Sequence, residues 1–106
     1  TNQIFSQKIT QNISRLAQSL EIQQAEAILE IFDNVEKLEL EVDIAEAQNI
    51  YFTKIYHEIG DIIENMTKTS KAEDRNFILI LLDIGQKLNI NTEFYRSMLD
   101  KVLIKK

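Results

Sequence analysis

The chain contains no cysteine and no proline, and only two glycines, Gly60 and Gly85, in 106 residues. Without cysteine there is no thiolate chemistry, no disulfide and no cysteine-type zinc site. This fits a cytosolic setting, and a cytoplasmic location is the expectation. With no proline and so little glycine, turns must be built from Asn, Asp, Ser and Thr. Positive charge is scarce as well. A count of 12 Lys and Arg against 17 Asp and Glu gives a net charge of −5. With an isoelectric point near 4.8, the chain lacks the basic footprint of sequence-independent nucleic-acid binding. No apolar run approaches the ~20 residues of a membrane span, and the first residues show no signal-peptide apolar stretch. Neither nucleic acid nor membrane is therefore an expected partner.

What is present is helical. Leu, Ile, Val and Phe make up about a third of the residues, enough to build a packed core. The length suits one domain. A single helical domain over 1–106 is expected, either a whole protein or a piece excised from a longer one. Thr1 in first place fits methionine removal as well as excision.

Apolar residues recur at helical spacing in five segments. The first is Phe5, Ile9, Ile13, Leu16 and Leu20, and the second Ile28, Ile31, Phe32, Val35 and Leu38. A longer third runs Ile44, Ala47, Tyr51, Ile55, Ile62 and Met66, widened by Phe52, Ile59 and Ile63. Phe77, Ile78, Leu81, Leu82 and Leu88 form the fourth, and Phe94, Met98, Leu99 and Val102 the last. The expected fold is all-α, a bundle of four to five antiparallel helices with short connectors. The helices fall near 3–20, 24–38, 44–67, 71–88 and 93–104. The count depends on Glu21 to Gln24, which offers no strong breaker; an unbroken helix there would reach about 50 Å.

The boundaries carry physical signals. Asp43-Ile-Ala-Glu46 and Ser70-Lys-Ala-Glu73 read as capping boxes, and Asn91 or Thr92 can cap the last helix. The apolar run Phe77 to Leu82 fits a buried strand or a helix apolar on nearly all sides. An internal echo favours the helix. ILEIFDNVEKLELEVD (28–43) overlays ILILLDIGQKLNINTE (78–93) at an offset of 50, and Leu20-Glu21-Ile22 reads as a faded third copy. In each full copy a helix ends at Leu38 or Leu88. An extended connector follows and buries one more aliphatic, Leu40 or Ile90. Val42 helps to pin the first connector.

A few polar and exposed positions stand out. Gln48 falls inside the apolar stripe, where a buried amide needs partners. It either bonds a connector carbonyl, a structural role, or meets a neighbouring domain. Ile50 lies opposite the stripe with Tyr56 on its flank, and together with His57 they form a candidate interface. Gly60 is off the stripe, so it either admits another backbone or kinks the helix; the unbroken phase of the stripe favours continuity.

Catalytic and metal patterns are missing. His57 is the only histidine, and a metal site with Glu58 and Asp61 would need a second Glu-x-x-His copy of the di-iron kind. A solvated histidine beside Asp61 is the expectation, with no metal and no cofactor. Glu36, Glu39, Glu41 and Asp43 ring a connector instead of pairing in a cleft as glycosidic carboxylates do. Asn12-Ile-Ser14 and Asn65-Met-Thr67 match the glycosylation sequon by chance, given no secretory signal.

One segment points to a family. Lys37-Leu38-Glu39-Leu40-Glu41-Val42-Asp43, followed by Ala47-Gln48-Asn49-Ile50-Tyr51-Phe52, resembles the helical C-terminal region of bacterial amylase/mannosidase-like proteins of glycoside hydrolase family 57. Leu81 to Ile90 resembles the segment that follows it there, so the likeness spans roughly 28 to 90. It departs where Ala45 and Glu46 stand, since an aromatic is common at one of these places. The resemblance implies an accessory module beside a catalytic barrel, with no catalytic residue to carry over. The expected function is a non-catalytic docking domain whose partner is a neighbouring domain or another protein. The alternative is a stand-alone interaction module that forms a homodimer or binds a partner helix.

Overall fold

A computed structural model describes residues 2–69 and 72–104 of the chain. The elements are α1 (Gln3–Ser19), α2 (Ile22–Lys37), α3 (Ala45–Ile50), a π-helical turn (Tyr51–Ile55), α4 (Tyr56–Thr69), α5 (Ala72–Lys87) and α6 (Glu93–Ile104). Because α3, the π turn and α4 follow without a break, the fold is an all-α bundle of five antiparallel rods. No strand occurs among the described residues, and Phe77 to Leu82 lie in α5. No described helix is long and apolar enough to cross a membrane. The Ser70-Lys-Ala-Glu73 capping pattern falls on side chains outside those described.

The core follows the expected stripes in outline. Ile9, Ile13 and Leu16 of α1, Ile28 and Phe32 of α2, and Ile78, Leu81, Leu82 and Ile84 of α5 are buried together. The central rods are α5, packed on α2, α4 and α6, and the α3–α4 rod, which faces α1, α5 and α6. Three residues assigned to stripes prove exposed: Leu38 at 61 %, Phe52 at 51 % and Phe94 at 66 %.

The echo is a repeated helix ending. In α2 the amide of Leu40 donates to the carbonyl of Val35 at 3.0 Å and that of Glu39 to Glu36 at 3.1 Å. In α5 the amide of Ile90 donates to Gly85 at 2.9 Å and that of Asn89 to Gln86 at 3.0 Å. Glu39 and Asn89 occupy the left-handed region, with φ of 54° and 61°. These are two Schellman caps, in which a left-handed residue lets the chain fold back over the last turn. Leu38 faces water although its counterpart Leu88 is fully buried, while Leu40 and Ile90 both pack against the core. The supposed third copy is different. Leu20 itself is left-handed (φ 47°) and its amide donates to Leu16, one position earlier than in the echo and without the second cap bond. This reversal separates α1 from α2.

The connector from Glu39 to Ile44 is also stitched to the start of α1. The Asn2 amide donates to the Glu41 carbonyl at 2.7 Å. Ser6 Oγ accepts from the Asp43 amide at 2.8 Å and donates to the Asn2 carbonyl at 2.7 Å. Asp43 does not form the expected capping box. Its carboxylate accepts from the Ala45 amide, two residues on, at 3.0 Å. Helix α3 begins only at Ala45, so Glu46 is one residue too near the helix start to serve as the third residue of a box. Asn91 makes the same two-residue turn onto the Glu93 amide at 2.9 Å.

Candidate functional site

The π turn sets the geometry of the site. Ala47, Tyr51, Ile55, Ile59 and Ile63 are all buried and four residues apart. On a straight α-helix each such step overshoots a full turn by about 40°, so the row would wind off the core. A wide turn, closed by the Tyr56 amide donating to the Tyr51 carbonyl, takes up the excess. The Thr53 hydroxyl donates to the Asn49 carbonyl at 2.7 Å, satisfying an acceptor near the widened turn. A straight wheel therefore misplaces the residues around it. Ile50, read as outward-facing, is half-buried and packs against the core, whereas Phe52, read as part of the stripe, is turned outward.

Tyr51 is fully buried and its hydroxyl donates to the Leu81 carbonyl at 2.6 Å. Burial pushes this phenol well above its usual range; the neighbouring Tyr56 adds to the shift, while Arg96 and the Gly85 amide oppose it. Gln48, half-buried, donates to the Leu88 carbonyl at 2.6 Å. Gln48 thus bonds a backbone carbonyl, but one at the end of α5 and not, as expected, one in the connector next to Gln48 in sequence. Gln48 and Tyr51 together tie the α3–α4 rod to the last two turns of α5.

On the other side of this rod lies a row of aromatic rings. Phe52 stacks on Tyr56, four residues later, with centroids 5.3 Å apart. Tyr56 meets Tyr95 of α6 at 4.6 Å, and Tyr95 meets Phe94 edge-on at 5.4 Å. Gly60 explains how α6 comes so close. A β-carbon at Gly60 would lie 3.1 Å from the Tyr95 hydroxyl and 3.3 Å from its ring, so the glycine admits a side chain, and α4 runs on through it. Burial and the nearby Tyr56 raise the Tyr95 phenol as well. Tyr95 takes the inward place on α6, which leaves Phe94 in the first turn facing solvent.

A second clamp orients α6. Arg96 Nε donates to Thr92 Oγ1 at 3.0 Å, and Arg96 Nη2 to Asp83 and Gln86 of α5 at 3.1 Å each. The result is an aromatic ridge along the α4–α6 seam with its two ends, Phe52 and Phe94, more than half exposed. Of the three candidate interface residues, Tyr56 stands in the middle of this ridge. His57 is exposed at its edge, 6.5 Å from the Phe52 ring and 6.4 Å from Tyr56. Ile50 is not on it. The sequence placed Phe94 in the core stripe and did not single out Tyr95 or Arg96; Gly60 is the one signal for Tyr95.

Among the described residues the acidic side chains form no comparable site. Glu30, Asp33 and Glu36 of α2 and Asp83, Gln86 and Lys87 of α5 line an open groove. Lys87 pairs with Glu36, Lys37 with Asp33 at 3.1 Å, and Arg96 with Asp83 at 3.1 Å. Such exposed pairs contribute little to stability and engage Asp33, Glu36 and Asp83. Among the described residues no group of three or more His, Asp or Glu side chains is placed to hold a metal ion. No family model matches the chain, and no curated protein or solved structure matches it significantly.

Proposed function

We propose that this chain is a helical docking domain without catalytic residues of its own, accessory to a larger glycoside hydrolase-like enzyme. The observation that supports docking is the ridge: Phe52 and Phe94 expose more than half of their surface while joined through Tyr56 and Tyr95. The two exposed rings sit at the ends of a cluster that passes through half-buried Tyr56 and buried Tyr95; exposed apolar surface gathered in one place marks interaction sites, and aromatic residues are enriched in interface cores. Support for an enzyme of this kind comes from the resemblance of 37–52 and 81–90 to the family 57 region, where a similar segment follows the catalytic barrel. A non-catalytic role agrees with the solvated carboxylates of the α2–α5 groove, three of which are engaged in ion pairs.

The test is a double change, Phe52→Asp with Phe94→Asp, made in the natural polypeptide and in the isolated chain. Docking on a neighbouring domain predicts that limited proteolysis releases the domain faster from the changed polypeptide. Self-association instead predicts a concentration-dependent dimer of the isolated chain, dispersed by the same change. Unaltered proteolysis together with a monomeric isolated chain would refute the reading.

A further inference from the structure

We draw no further inference here: the strongest candidate, the aromatic ridge of Phe52, Tyr56, Tyr95 and Phe94 along the α4–α6 seam, belongs to the site already described, and nothing in the structure shows what covers it.

Discussion

The Tyr51 hydroxyl lies directly over Gly85: a β-carbon added there would stand 2.7 Å from the phenol oxygen and 3.0 Å from Cζ. Helix α5 therefore needs a residue without a side chain at the place where the α3–α4 rod crosses it. Gly85→Ala gains about 1 kcal/mol of helix propensity but forces apart a buried contact, at a cost of ~1–3 kcal/mol. Net destabilisation is expected in urea melts. In a double-mutant cycle with Tyr51→Phe, which removes the closest atom, the two changes should couple by more than about 0.5 kcal/mol. Gly60→Ala is the contrast. Its nearest neighbour is the end of the Tyr95 side chain at 3.1 Å, less close than the phenol oxygen at Gly85, so a smaller cost is expected.

The two Schellman caps differ at their left-handed residue. Glu39 lacks the tolerance for positive φ that Asn89 has. Glu39→Gly should then raise stability by about 1 kcal/mol, while Asn89→Gly should change it by less than half as much. Equal effects in thermal melts would mean that the left-handed strain at Glu39 is not what limits this turn.

Gln48→Ala leaves the Leu88 carbonyl without its side-chain donor and should cost ~1–3 kcal/mol. Leu40 and Ile90 are half-buried, so truncation of either to Ala should cost about 2 kcal/mol, the low end for a buried aliphatic. The repeated geometry makes the pair informative. Urea melts should give the two truncations similar costs, and a Leu40→Ala chain as stable as the parent would show that the connector is not pinned.

Alkaline pH should unfold the chain through Tyr51. A phenol with a raised folded-state pKa holds its proton more tightly when folded. The resulting stability is fully present below the unfolded value near 10 and is lost as pH rises toward the higher folded value. Tyr51→Phe should lower stability at neutral pH through the lost hydrogen bond, yet flatten its decline between about pH 9 and 11. A decline as steep as in the parent would assign the alkaline sensitivity to another group.

Much of the fold was legible in the sequence because burial follows period. The long apolar rows fixed five rods to within a few residues, and the echo at 28–43 and 78–93 correctly announced two equivalent helix endings. The site was less legible. A single extra residue in the turn at Tyr51 to Ile55 rotates the positions around it, and its only trace is the four-residue spacing from Ala47 to Ile63, which a 3.6-residue wheel absorbs without protest. That is why Ile50 and Phe52 changed places between core and surface. Phe94 and Tyr95 are adjacent and similar, so only the slot at Gly60 decides which ring turns inward. Ser6 and Asn2, which hold the connector from another helix, carry no sequence signal at all.

The central claim, that the aromatic ridge is covered when the domain works, is tested most directly by hydroxyl-radical footprinting of the natural polypeptide beside the isolated chain. Phe52, Tyr56 and Phe94 should be protected in the natural polypeptide, while Ile4 and Leu38, exposed elsewhere at 71 % and 61 %, label equally in both. Equal labelling of Phe52 and Phe94 in the two samples would contradict the account.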